Sequence, residues 1–152
     1  MGRASAARRY RINEPFEPVI TVESDVTKYD ELVYLLVANR PLPRKKGTSR
    51  IAYIGKTASG VSRIAQSAAD KIVSTLECHG VRRLRAFVVW AEPRRYERAD
   101  LPHLLERGLL LTFRDEYGEL PQFNLMGVGM KWGAETDYFR AEALRRIVIR
   151  YS

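Results

Sequence analysis

Residues 51–67, IAYIGKTASGVSRIAQS, change periodicity partway along, and that change limits what the chain can fold into. Ile51, Ala52, Tyr53 and Ile54 form a short apolar run with β-branched and aromatic members, as a buried strand requires, and the run stops at Gly55. Thr57, Ser59 and Gly60 supply turn and cap chemistry. Beyond them Val61, Ile64, Ala68, Ile72 and Leu76 recur at helical spacing. The spacing predicts a strand, a break and then a helix running to about Glu77, with His79 and Gly80 ending it. Arg63 lies beside the apolar stripe rather than within it, so its guanidinium stays clear of the core.

The flanking segments supply the rest of an α+β domain. ELVYLLVA at 31–38 is almost continuously apolar, as a central strand covered on both faces would be, with Tyr34 in its middle. NRPLPRKKGTSR follows, and Pro41, Pro43 and Gly47 predict a loop with no strand or helix interior, presenting Arg44, Lys45, Lys46 and Arg50. Ala86 to Trp90 is a third strand, preceded by Arg82, Arg83 and Arg85. Asp100 caps a helix carried by Leu101, Leu104, Leu105 and Leu109. Gly108 inside it suggests the close approach of another backbone, and RDEYGEL breaks the pattern. After a glycine-bearing connector, MGVGMKWG, residues 135–149 read as one last helix through Phe139, Ala143, Leu144, Ile147 and Val148, packed on the sheet or on a second subunit. The expected architecture is a small antiparallel sheet of about three strands flanked by helices. It occupies residues 18–152 as one domain, after a basic arm at 1–17 and with a short added strand at Val19 to Val22.

Charge narrows the partners. The 152 residues carry a formal net charge of +8, which favours polyanions such as DNA, RNA or acidic lipid. The single cysteine, Cys78, excludes an intrachain disulfide or a cysteine metal cluster and suits a reducing cytosol. No run of eighteen apolar residues is present, and MGRASAARRYRI has charge without the apolar region of a secretion signal. The expected location is therefore cytoplasmic, or associated with a nucleoid or nucleus, without a membrane. GKT at 55–57 is not a phosphate-binding P-loop, because that motif needs a glycine where Arg50 stands. His79 and His103 share no metal-ligand spacing and read as surface or capping residues.

YIGKT followed by Arg63 resembles the second half of the GIY-YIG nuclease motif, and Tyr34 in ELVYLL stands where its first half places a tyrosine. LLERGLLL followed by PQFN is similar to the family's closing signature, a glutamate on a helix and then Pro-x-aromatic-Asn. Tyr34, Tyr53, Arg63, Glu106 and Asn124 thus fall in family order over roughly residues 31–125. The resemblance implies a metal-dependent endonuclease acting on DNA. Glu106 would hold one Mg²⁺ or Mn²⁺, and Arg63 would grip the scissile phosphate through its fork of donors. Tyr34 would take a proton from the attacking water with Tyr53 hydrogen-bonding nearby. A phenol ionises near about 10, so that role calls for neighbouring cations, of which Lys56 is one. Asn124 would be structural or would orient the metal's surroundings.

Other features bear on substrate and competence. The basic loop with Arg44, Lys45, Lys46 and Arg50 would hold nucleic-acid backbone, each neutralised phosphate steepening the salt dependence by about 0.9 log units. No glycine precedes Tyr34 in LVY, and Ser67 stands one helical turn after Arg63, where many relatives carry histidine or tyrosine. The intervals from Tyr34 to Tyr53 and from Glu106 to Asn124 are longer than the family's compact members use. Two rival expectations follow: a nucleic-acid-binding module that kept the fold without the chemistry, and a protein-interaction or inhibitor domain. RNA stays open as a substrate, and a second subunit or a targeting partner would supply selectivity that the chain lacks.

Overall fold

The computed structural model describes residues 30–125 and 129–152, the side chains of residues 75–78 excepted. The basic arm and the short strand expected at Val19 to Val22 lie outside the described residues, as does part of the glycine-bearing connector. Three strands, β1 (Leu32–Pro43), β2 (Thr48–Thr57) and β3 (Leu84–Val89), form one antiparallel sheet in the order β2-β1-β3. The apolar run Leu32–Val37 is buried because it is the central strand, with helices on both faces. On one face α1 (Gly60–His79) covers Leu32, Tyr34 and Leu36 through Ile64. On the other, α2 (Leu101–Tyr117) and α4 (Ala141–Tyr151) cover Val33, Leu35 and Val37 through Leu105, Leu109, Phe113, Leu144 and Val148. A register shift between Leu36 and Val37 leaves Ala52 unpaired, which lets Ile51 and Ile54 face the same core despite their spacing.

Several sequence expectations change. The segment from Asn39 to Arg50 is not all loop: β1 runs through Pro43 and β2 begins at Thr48. Pro41 is tolerated because the ladder is interrupted between Val37 and Leu42, and Pro43 is the last residue of its strand. The tip shrinks to Arg44–Gly47, closed by the Arg44 N–H on the Gly47 carbonyl, with Gly47 at φ 71°. RDEYGEL does not break α2 at its start. The helix continues to Tyr117, whose ring packs on that of Phe113 at 4.7 Å and a 44° tilt, and it ends at Gly118 in the left-handed region.

The last helix is two: α3 (Glu135–Tyr138) and α4, separated at Phe139 and Arg140, whose backbone is extended. That break turns Phe139 into the α2 and α4 core while Glu135 stays buried. Gly108 is approached by a side chain rather than a backbone: an added Cβ would fall 3.1 Å from the Leu144 methyl. Asp100 does cap α2, accepting from the His103 N–H, with Pro102 in the first turn. None of the described helices is long and apolar enough to cross a membrane.

Candidate active site

The edge strand β2 is where the singled-out side chains meet. Tyr34 and Gly55 are cross-strand partners, and Tyr53 is Gly55's near neighbour on the same face. Because Gly55 has no side chain, the Tyr53 phenol lies across it: a Cβ there would fall 2.4 Å from Tyr53 Cε1 and 2.7 Å from its Oη. The two tyrosine rings stand 5.7 Å apart, tilted at 48°. Burial pushes the Tyr53 phenol up to about 12, the Tyr34 hydroxyl and the Glu106 carboxylate adding to the effect and Arg63 opposing it. Tyr53 is therefore a hydrogen-bond donor at neutral pH.

Helix α1 lays Arg63, Ser67 and Lys71 along one side, each one turn from the next. Arg63 is exposed and its Nη1 donates to Gln66 Oε1 at 3.4 Å. Ser67 is only 6% exposed. Its Oγ accepts from the Tyr34 hydroxyl at 3.0 Å and from Lys71 Nζ at 3.0 Å. The same Lys71 Nζ sits 4.2 Å from the centroid of the Tyr53 ring. The sequence reading left Lys71 out. Its signal was the spacing of four residues from Ser67 and eight from Arg63, but a lysine at such a position is ordinarily solvated.

From the other face of the sheet, α2 brings Glu106 to the end of β2. Burial pushes its carboxyl above the ordinary range, while Lys56, His103 and the Lys56 backbone N–H oppose that shift and Asp100 adds to it. Lys56 Nζ also stands 3.7 Å from Asp100 Oδ2, a surface pair of little energetic weight. Among the described residues no group of three His, Cys, Asp or Glu side chains could enclose a metal. A hard divalent ion that keeps most of its water and takes one carboxylate plus substrate phosphate oxygens does not require one, so Glu106 fits that mode.

Asn124 reaches the site through the backbone. Its Oδ1 accepts from the Ile54 N–H at 3.0 Å and its Nδ2 donates to the Ile54 carbonyl at 2.7 Å, while the Phe123 N–H bonds the Ala52 carbonyl. Residues 121–124 thus stand in for a further strand and satisfy the β2 edge beside Tyr53 and Gly55. Asn124→Ala is expected to lower stability by about 1–3 kcal/mol, because both Ile54 groups lose their partner in a half-buried place. Urea unfolding reads this as a lower midpoint at constant m. An unchanged midpoint would show that water replaces the clamp.

The basic set lies elsewhere. The Arg44–Gly47 tip is at the far end of the hairpin, about 23 Å along β2 from Gly55 at roughly 3.3 Å per residue. Arg44 is half-buried: Nη2 donates to the Ile51 carbonyl at 2.7 Å and its Cζ stands 5.4 Å over the Phe113 ring. Burial lowers the Arg44 guanidinium below its ordinary value, with Glu119 and Tyr117 opposing. The Lys45 and Lys46 backbone N–H groups bond Glu119 and the Tyr117 carbonyl, leaving both side chains exposed. Arg50 is exposed and its Nη1 donates to the Asn39 carbonyl.

Fold and site together define a small α+β domain with a tyrosine pair, three cations, Arg63, Lys71 and Lys56, and a carboxylate gathered around β2. No protein-family model matches the chain, and neither a curated protein nor a solved structure does.

Proposed function

We propose that the chain is a metal-dependent endonuclease of GIY-YIG type that hydrolyses phosphodiester bonds in DNA. The observation that carries this reading is the position of Tyr53, whose phenol contacts Tyr34 and Lys71 and lies within electrostatic reach of Glu106 and Arg63. Four elements, β1, β2, α1 and α2, contribute to that one point, and Tyr34, Tyr53, Arg63 and Glu106 fall along them in the order the motif resemblance requires.

Each group has chemistry suited to a phosphodiester. The Arg63 fork places two donors on the non-bridging oxygens, where negative charge grows as the phosphorus becomes five-coordinate. Tyr53, protonated through neutral pH, donates to the attacking water or to a phosphate oxygen. Tyr34 is the group that the resemblance assigns to the attacking water: its open lone pair accepts the water's hydrogen bond and orients it, and the proton lost on attack passes to solvent. Glu106 would hold the divalent ion, which when bound would supply positive charge to the scissile phosphate. Lys56 screens Glu106 and adds a cation at the end of β2.

The burial of Tyr34, 3% exposed and bonded to Ser67, favours a second reading, a binding module without hydrolysis. Supercoiled plasmid and branched DNA with Mg²⁺ or Mn²⁺ separate the two. Cleavage by the parent that is lost with a chelator and in an Arg63→Ala, Glu106→Ala double variant is the expected result. A DNA gel shift without cleavage under every condition would replace the nuclease reading with the binding module.

A further inference from the structure

We propose that Lys71 is a positioning residue for the tyrosine pair, holding the Tyr34 hydroxyl through Ser67 while its ammonium seats the ring of Tyr53. The proposal rests on the nuclease reading of this site, and it assigns a role to a side chain that the motif resemblance does not include.

Lysine ordinarily keeps its ammonium in water and lets only its methylene stem cover apolar surface. Lys71 instead turns Nζ inward onto a nearly buried serine. An ammonium has donors only, so Ser67 must present an oxygen lone pair to it. The remaining lone pair takes the Tyr34 proton. With both lone pairs filled, the hydrogen bond between Tyr34 and Ser67 has one direction: Tyr34 donates, and its own lone pairs stay open toward Tyr53 and the substrate. Without the ammonium, Ser67 is able to rotate, donate to Tyr34 and close that acceptor.

The contact with Tyr53 works alongside. At 4.2 Å from the centroid the ammonium lies on the negative face of the ring and resists its rotation away from Gly55. Among the described residues, the groups that face Lys71 include Tyr53 from β2, Tyr34 of β1 through Ser67, and Arg63 and Asp70 from its own helix, whereas β3 presents the apolar Leu84 and Val88 to α1. Burial lowers the ammonium below its ordinary value, with Asp70 opposing and Arg63 reinforcing that shift.

The test compares Lys71→Met and Lys71→Arg in the full chain. Lys71→Met is expected to lower kcat on the order of 10- to 100-fold with KM changed less than about twofold, as for reacting groups moved out of alignment. Lys71→Arg keeps a cation and should recover most of the rate. It should also carry the alkaline limb of the pH profile upward, because a guanidinium holds its proton where the lowered ammonium has lost it. A merely structural role predicts equal losses in both variants and an unmoved limb. A gain in KM alone would make Lys71 a phosphate contact. Either result overturns the proposal.

A second readout does not depend on cleavage. With ¹³C-labelled tyrosine, the Tyr34 and Tyr53 ring resonances, assigned through Tyr34→Phe and Tyr53→Phe, should both move in Lys71→Met and stay near the parent positions in Lys71→Arg. Moved resonances in a protein that never cuts DNA would remove the nuclease reading and leave Lys71's hold on the pair standing. Unmoved resonances with normal cleavage would refute the positioning role alone.

Discussion

If the chain is the nuclease proposed above, Gly55→Ala should reduce cleavage on the order of 100-fold while leaving a folded domain. The added Cβ would overlap Tyr53 at Cε1, Oη and Cζ, all within 2.8 Å. Gly55 does not have a left-handed backbone, so alanine is not excluded by conformation, and the conflict is with the ring alone. Tyr53 is half-buried at the sheet edge, and swinging its ring outward is the easiest relief. That motion separates the Tyr53 phenol from Tyr34 and strips the ammonium of Lys71 from its face. A stability loss of about 1–3 kcal/mol is the ordinary range for forcing one group into an occupied place.

Single-turnover cleavage and urea unfolding on the same preparation separate the two effects. The substitution should also add almost nothing in a Tyr53→Phe background if the phenol is what it displaces, since two changes acting through one group are not additive. Full activity in Gly55→Ala would mean that the position of the Tyr53 ring does not matter to the reaction.

The strand and the helix on either side of Gly55 were legible because each signal is local, an apolar run and then a 3.6-residue stripe. The break was not where the glycine suggested: β2 continues through Gly55, which pairs with Tyr34, to Thr57, and the turn falls at 58–59. The central strand was legible for the same reason, since a run without polar interruption has to be covered on both faces. What the sequence hid depends on distant partners. RDEYGEL looks like a break because Arg114, Asp115 and Glu116 are charged, yet Arg114 bonds the Met130 carbonyl, Asp115 takes the Trp132 indole and Glu116 takes Arg145. Those tertiary contacts, invisible in a window of seven residues, extend the helix.

Pro41 and Pro43 point to a loop by propensity. The interrupted ladder that admits them is a property of the pairing with β2, not of either proline. The candidate site divides along the same line. Tyr53 beside Gly55 and Glu106 on its helix were singled out from their order along the chain, and the structure brings them near each other. Lys71 needed the fold, because only the turn of α1 over the sheet brings its ammonium to Tyr53 and, through Ser67, to Tyr34.

Arg107 follows Glu106 on α2 and points away from the tyrosine pair, and its removal is expected to be among the most destabilising single changes in the domain. Its Nε donates to Glu135 Oε1 and its Nη2 donates to the Lys131 carbonyl at 2.9 Å. Glu135 also accepts from the Gly133 N–H, and its side chain is shut off from water at 1% exposure although it lies near the surface. One guanidinium therefore ties residues 131–135 to α2, next to the point where Leu144 closes on Gly108.

Arg107→Ala strands a carboxylate that no solvent reaches, and the shallow position places the loss near the lower end for a broken buried pair, about 3 kcal/mol. Replacing both partners, Arg107→Met with Glu135→Leu, should return much of that, because no charge is then left without a partner. Chemical denaturation of the two variants beside the parent measures the difference. The turnover of the fraction still folded should be close to normal in both, since the pair makes no contact with Tyr34, Tyr53 or Lys71. A fall in kcat that outlasts correction for the unfolded fraction would show that α2 places Glu106 through this pin. An unchanged midpoint in Arg107→Ala would show that the Gly133 N–H alone satisfies Glu135.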